Sequence, residues 1–294
     1  MKTSVAVIGA SGLVGGYLFS MLKKRESDKW PISVVGTQCG QSQRGLVHLD
    51  IADYEEVDDF LSTYLPKVIY LSAAVTNVDR CETDPQTHKL NVTSTKYILS
   101  LCKTRNIKPV FFSSGYVFSG EDNKLYAEDD LPMPINQYGQ QKFIVENAVL
   151  SNPYGLVIRT MGVFGKEAAR KNFAYSVSDN ILLGKTVYVP DDQFMCPIHA
   201  AALSEIAIRM VDIGDTGIRH VNGDTTVSKY EFAQQLVREF RLDASKLVGV
   251  SSSKLRQVAK RPKYSTLENS RPFDFSYMVN LRQGIGRMAY ERFG

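Results

Sequence analysis

A Tyr and a Lys four residues apart, in Tyr138-Gly139-Gln140-Gln141-Lys142, carry the chemistry this chain could perform. On a helix that spacing puts both side chains on one face, one turn apart. An ammonium beside a phenol lowers the phenol's pKa, so Tyr138 is expected to exchange a proton with a carbonyl or hydroxyl near neutral pH. Ser114, 24 residues upstream, ends the apolar run Val110-Phe111-Phe112-Ser113-Ser114 and is placed to hold the reacting oxygen. A lone Tyr-x-x-x-Lys pair is common by chance, and most such pairs are solvated helix faces. The surrounding elements must decide between the two.

Ser4 to Ile8 is a short β-branched run of the kind that forms a buried parallel strand. Gly9-Ala10-Ser11-Gly12-Leu13-Val14-Gly15 follows, and a helical pattern runs on through Leu22. Strand, glycine turn and helix in this order are the setting of a dinucleotide-binding loop. Gly9 permits the tight turn, Gly12 lets the backbone approach a pyrophosphate, and Gly15 lets the helix pack on the sheet. The helix N-terminus offers N–H groups and a positive dipole end to phosphate. A structural turn with no ligand is the alternative.

Further strands are expected at Ile32 to Val35, Leu46 to Asp50, Val68 to Leu71, Val110 to Ser114, Tyr154 to Arg159 and Thr186 to Val189. Helices are expected from near Tyr54, over Val92 to Cys102, from the Tyr138 region to Leu150, from Phe173, over Ala200 to Ile213 and over Ser228 to Phe240. Ser228 with Glu231 three residues on reads as a capping box. The alternation predicts a doubly wound parallel sheet, whose ligands bind at the carboxyl ends of the strands. Gly9, Ala73 and Ser114 converge there. The first portion is expected to span 1–160 and to take in about 198–224. A smaller α/β portion, 161–197 with 225–294, then covers the crevice and binds substrate.

The second strand leads into Gly36-Thr37-Gln38, with no carboxylate where an NAD-selective fold places one, and Arg44 follows. NADP(H) is therefore favoured over NAD(H), with Arg44 pairing the 2′-phosphate. Asp50 could bond the adenine amino group or cap the helix near Tyr54. The net charge of +4 is too small to argue for nucleic acid. Lys254, Arg256, Lys260, Arg261 and Lys263 form a basic cluster, either solvated surface or a contact for a phosphate-bearing ligand. The four cysteines and four histidines are scattered, which predicts reduced thiols and no metal site. No apolar run is long enough to cross a membrane, and a cytoplasmic protein is expected.

Together, Gly9-x-x-Gly12-x-x-Gly15, Ser114 and Tyr138-x-x-x-Lys142 resemble the extended short-chain dehydrogenases/reductases of Rossmann fold. More narrowly, the chain resembles the dTDP-4-dehydrorhamnose reductase family. The stretches Ser72 to Glu82, Ser113 to Gly120, Tyr126 to Asp130, Asn172-Phe173, Asp191 to Phe194 and Arg261-Pro262 carry that resemblance in order. It implies reduction of a nucleotide-linked 4-keto-6-deoxy sugar by a nicotinamide cofactor. Tyr138 would give the proton, Ser114 would bond the same oxygen, and Lys142 would hold the nicotinamide ribose. Carried over by position, Gly9, Ser11, Gly12, Leu13, Val14, Gly15, Thr37, Arg44, Asp50, Ile51, Ala73 and Ala74 would line the cofactor with Tyr138 and Lys142. Val75, Asn77, Tyr116, Asn172, Gln193 and Arg261 would meet the nucleotide-diphosphate sugar, the last three at the nucleotide diphosphate.

The chain departs from that family at Gly115, where Asp is usual, and at Gly162, where a bulky aromatic is usual. Met195-Cys196-Pro197-Ile198 replaces Gly-Ser-Pro-Thr, and Ala202 replaces an Asp. A reshaped, enlarged sugar pocket is expected, with a sugar other than dTDP-4-dehydrorhamnose. Two other readings stay open. One is a non-enzymatic NADP-binding regulatory subunit resembling that of methionine adenosyltransferase. The other is a nucleotide-sugar epimerase, a dehydratase being disfavoured because Gly115-Tyr116 adds no carboxylate beside Ser114. A homodimer is the assembly considered.

Overall fold

The computed structural model describes residues 3–26, 32–40, 43–121, 123–269 and 280–293. Strands β1 (Thr3–Ile8), β2 (Ile32–Gln38), β3 (Val47–His48), β4 (Val68–Leu71), β5 (Lys108–Ser114) and β6 (Leu156–Thr160) lie in one sheet with β9 (Gly217–His220). Their order is β3-β2-β1-β4-β5-β6-β9, and every neighbouring pair is parallel. The order reverses between β1 and β4, the switch point where a Rossmann sheet opens a crevice. All residues of β4 and β6 are buried, which accounts for the apolar runs Val68 to Leu71 and Leu156 to Ile158.

One face of the sheet packs on α1 (Leu13–Arg25) and α8 (Ala200–Asp212), through Leu18, Leu22, Leu203 and Ile206. The other packs on α2 (Tyr54–Tyr64), α5 (Thr95–Thr104) and α6 (Gln137–Leu150), through Phe60, Ile98 and Val145. Between β4 and α5 run α3 (Val78–Thr83), α4 (Gln86–His88) and a π-helical turn, Lys89–Ser94. The rest has its own core, with Val177, Phe232, Leu236 and Met288 buried together. It comprises α7 (Phe173–Leu182), β7 (Val187–Pro190), β8 (Phe194–Met195), β10 (Val227–Ser228), α9 (Lys229–Glu239), β11 (Leu247–Val250) and α10 (Leu281–Phe293). There β11 pairs with β7 and β10 with β8.

Several elements differ from the sequence expectation for local reasons. β2 continues to Gln38 because β3 pairs with Thr37 and Gln38. β3 is only two residues long, since the Asp50 N–H turns away to the Glu56 carboxylate at 2.8 Å. The helix expected from Val92 starts earlier, as the π turn at Lys89, around an Asn91 whose amide is bonded to the Val75 backbone. Strand β9 and helix α10 were not foreseen. The Ser228–Glu231 capping box is present at the start of α9. Among the described residues no helix is long and apolar enough to cross a membrane.

Candidate active site

The glycine turn is shaped by what surrounds it. Gly9 has φ +89°, and a Cβ there would lie 2.6 Å from the Ala73 nitrogen, so β1 and the end of β4 touch backbone to backbone. The Gly9 N–H donates to Thr37 Oγ1 (3.2 Å) and the Ala10 N–H to the Thr37 carbonyl (2.7 Å), which fastens the turn to the buried end of β2. A Cβ on Gly15 would fall 2.2 Å from the Gly9 carbonyl oxygen and 2.5 Å from Ser72 Oγ. Gly12 is different: it is exposed, and a Cβ there would meet only the Gly9 carbonyl, at 3.4 Å. It is also the N-cap of α1 and provides no side-chain cap. The N–H groups of Leu13, Val14 and Gly15 thus open the helix beside an uncrowded backbone, an arrangement that accepts a phosphate.

At the end of β2, Gly36 has no room for a side chain, with Phe19, Leu46 and Ala10 all within 2.9 Å of a Cβ position. Arg44 is exposed in the connection to β3. Carboxylates do reach this corner from another element: Asp50 and Glu56, after burial, help to raise the Cys39 thiol. The capping alternative for Asp50 is excluded, because Asp53 caps α2 by accepting from Glu55 and Glu56. Asp50 Oδ1 instead accepts the Ala52 N–H at 2.9 Å, and Ile51 beside it is buried. Ala73 and Ala74 are half-buried past β4, Ser11 beside the glycine turn.

The trio assembles on β5 and α6. Asn136 caps α6, its Oδ1 accepting the Gly139 N–H at 2.8 Å. A Cβ on Gly139 would sit 2.1 Å from the Tyr116 carbonyl oxygen, so the glycine inside the Tyr-x-x-x-Lys sequence lets the helix press on the turn after Ser114. That contact brings the Tyr138 ring edge-on to Tyr116, at 6.0 Å between centroids. Ser114 is buried and accepts the Tyr116 N–H at 3.2 Å. Lys142 is 7% exposed; its ammonium donates to the Phe112 carbonyl (2.8 Å) and lies 5.7 Å from the Tyr138 ring centroid.

These surroundings correct one sequence expectation. The Tyr138 phenol is raised above its ordinary value, chiefly by burial and then by Cys81, with Ser114 pulling it back. Lys142 is itself pushed down to about 8 by burial, against the opposing pull of Cys81 and Glu146. The ammonium is committed to a carbonyl below the ring rather than to the phenol oxygen, so it does not depress Tyr138. The phenol keeps its proton at neutral pH, the state a proton donor needs.

Sequence reasoning missed the groups that hold this trio. Glu146, one turn beyond Lys142, forms a fully buried bidentate pair with Arg159 of β6 (2.8 and 3.0 Å) and accepts from Ser113 Oγ. The signal was there: an Arg ends the apolar run Leu156-Val157-Ile158, and a Glu repeats the Lys142 face one turn on. Asn91 takes the Val75 N–H (2.8 Å), donates to the Val75 carbonyl (3.0 Å) and donates to Gln141 Oε1 (2.8 Å), which fixes the strand-end loop to α6.

Of the residues expected at the substrate, Tyr116 is buried beside Tyr138 and Val75 is held by Asn91. Asn77 caps α3 through its contact with the Arg80 N–H. Asn172 caps α7, and its amide also donates to the Gly165 carbonyl at 2.9 Å. Gln193 is buried between Gln257 (2.9 Å) and the Lys229 ammonium (2.7 Å). Arg261 is paired with Asp79 at 2.8 Å. The opening expected at Gly115 is not formed, and at Gly162 only a small cavity is found. A Cβ on Gly115 would lie 2.8 Å from the Ser265 carbonyl, and one on Gly162 would lie 2.8 Å from Met195 Sδ. The tail backbone and Met195 occupy those spaces. What remains is an apolar cavity of about 140 Å³ among Met161, Gly162, Phe173, Met195 and Phe232. Met161 Sδ is 3.9 Å from Ser114 Oγ.

A sequence model described as RmlD substrate binding domain matches residues 1–285. The chain belongs to that family. It is 30% identical over 272 residues to a probable low-salt glycan biosynthesis reductase of Haloferax volcanii, covering 90% of this chain and 89% of that one. The crystal structure of a hypothetical dTDP-4-dehydrorhamnose reductase from Sulfolobus tokodaii superposes with a TM-score of 0.80 at 31% identity, over 95% of this chain and all of that one. Methionine adenosyltransferase 2 subunit beta of Rattus norvegicus is 28% identical over 276 residues, 91% of this chain and 80% of that one. The proteins this chain is similar to therefore include named reductases and a named subunit of another enzyme.

Proposed function

We propose that this protein reduces the 4-keto group of a nucleotide-linked 6-deoxy sugar with hydride from NADPH or NADH. The observation that carries the reading is the meeting of Ser114, Tyr138 and Lys142 beside the open glycine turn, at the carboxyl ends of β1, β4 and β5. The reductases among its relatives support it.

The chain fits a nicotinamide dinucleotide: Gly9, Gly12 and Gly15 keep side chains off the turn, and Leu13, Val14 and Gly15 present N–H groups to the diphosphate. Thr37, Arg44, Asp50, Ile51, Ala73 and Ala74 would line the adenosine side. When bound, that cofactor supplies the hydride for the carbonyl carbon. The Ser114 hydroxyl holds the carbonyl oxygen, and the neutral Tyr138 phenol donates its proton to the same oxygen, giving the alcohol. Lys142 would hold the ribose hydroxyls of that cofactor, and its charge would stabilise the phenolate left on Tyr138. The residues of 1–160 with 198–224 bind cofactor, and 161–197 with 225–294 bind substrate, where Asn172, Gln193 and Arg261 meet the nucleotide diphosphate.

NADP(H) is favoured over NAD(H), because Gly36-Thr37-Gln38 ends β2 without a carboxylate and exposed Arg44 follows it. Asp50 and Glu56 near Cys39 work against a 2′-phosphate, so the preference is tested by kcat/KM with each cofactor. The reading as a whole is tested by NADPH oxidation with a panel of freshly made nucleotide 4-keto-6-deoxy sugars. Turnover that Tyr138→Phe abolishes is the expected result. Cofactor binding without turnover on any sugar would overturn it and favour a binding subunit, as the methionine adenosyltransferase relative is named.

A further inference from the structure

One carboxylate ties the segment 258–261 to the catalytic half of the molecule. Asp79, in the first turn of α3, accepts at its Oδ1 from the Val258 N–H (3.0 Å), the Ala259 N–H (2.9 Å) and Arg261 NH1 (2.8 Å). Arg261 NH1 also donates to the Ala259 carbonyl at 2.6 Å, and its side chain is only 10% exposed. The same segment is bolted to the catalytic helix, because Asn136, the cap of α6, donates to the Lys260 carbonyl at 2.8 Å. Glu82, three residues after Asp79, accepts the N–H of Gln137, the first residue of α6. Helix α3 thus touches the 258–261 segment at one end and the start of the Tyr138 helix at the other.

We propose that Asp79 is a positioning residue for the anionic half of the substrate, holding Arg261 and the 258–259 backbone as one preformed receptor for a diphosphate. The inference rests on the nucleotide-sugar reading above. A guanidinium has five N–H donors in a rigid fork. With NH1 turned to Asp79 and Ala259, the edge formed by Nε and NH2 has the geometry that matches phosphate oxygens bidentately. An Arg on a free loop would lose its conformational freedom when the ligand arrives, whereas one whose NH1 is already held by two bonds, on a segment that Asp79 fastens through two more, loses less. The Asp79 charge opposes an incoming anion. That charge is already engaged by a cation and two N–H groups, so the gain from a fixed guanidinium prevails.

The test measures dissociation constants by calorimetry for dTDP, UDP, GDP and CDP, then follows the tightest binder in variants of the full chain. Asp79→Ala and Arg261→Ala should each weaken it by about tenfold or more. The double variant should be no more than about twofold worse than the weaker single variant, because the two residues act as a unit. Asp79→Asn keeps the acceptor oxygen and should return affinity to within about threefold of the parent. NADPH affinity should be unchanged in all of them. Parent-like binding by Asp79→Ala, multiplying losses in the double variant, or an equal loss of NADPH would overturn the assignment. Failure of the parent to bind any of the four would overturn the nucleotide-sugar reading along with it.

Discussion

Lys142 should make the protein less stable than it would be without its charge. Burial takes the ammonium from an ordinary 10.5 down to about 8, with Cys81 and Glu146 recovering only part of the loss. That difference withholds about 3 kcal/mol of stability at neutral pH. Replacing Lys142 by Met removes the charge at similar length. It also removes the 2.8 Å bond to the Phe112 carbonyl, which gives back about 1–2 kcal/mol. The net expectation at pH 7, without cofactor, is a variant more stable by about 1–2 kcal/mol, or about 3 °C in Tm. The sign depends on pH. The unfolded chain binds the proton more tightly, so the cost is complete below about pH 8 and fades as pH rises towards 10.5. Near pH 10 a little under 1 kcal/mol of the cost remains, so the lost hydrogen bond outweighs it and the variant should be less stable by up to about 1 kcal/mol. Urea denaturation of both proteins at pH 7 and pH 10 measures this crossing, and reductase assays should show the variant inactive. A variant less stable at both pH values by the same amount would refute the idea that an uncompensated buried charge is maintained for function.

Tyr138→Phe should lower kcat by about 10²–10⁴-fold while NADPH affinity stays within about twofold, because only the proton donor is lost; stopped-flow hydride transfer and equilibrium binding separate the two. Gly15→Ala drives a methyl to 2.2 Å from the Gly9 carbonyl. It should cost more than about 2 kcal/mol and at least about tenfold in cofactor affinity, and a parent-like urea midpoint would show that the close approach is not required. Glu146→Gln leaves Arg159, itself 1% exposed, without its charge partner and should cost about 3–5 kcal/mol. Because Glu146 also raises Lys142, the decline of kcat/KM expected above about pH 8 should move to lower pH in that variant. An unmoved profile would mean that Glu146 serves the fold alone.

Local pattern settled the scaffold. The β-branched run before Gly9, the spacing of Gly9, Gly12 and Gly15, and the buried run ending at Ser114 each depend on a few adjacent residues, and they lie where periodicity put them. The Tyr138 helix, with Gly139 inside it, was legible for the same reason. Strand β9 was not, because Gly217-Ile218-Arg219-His220 has no apolar run of its own and pairs only because β6 presents an open edge. Helix α10 was hidden similarly: much of its length is polar, and its few buried residues find their partners in the core of α7 and α9.

The electrostatics of the site came only from tertiary structure. Sequence spacing placed Lys142 one turn from Tyr138 and implied a lowered phenol pKa. Which carbonyl takes the ammonium, and how much water the pair loses, depends on β5 lying beneath α6. The same holds at Gly115 and Gly162. Two missing side chains read as empty space along the chain, yet Ser265 and Met195, 150 and 33 residues away, stand where those side chains would be. A sequence states which atoms a position lacks; only the packed chain states which distant atoms fill the gap, because close packing leaves few voids and fills them from wherever the fold brings matter.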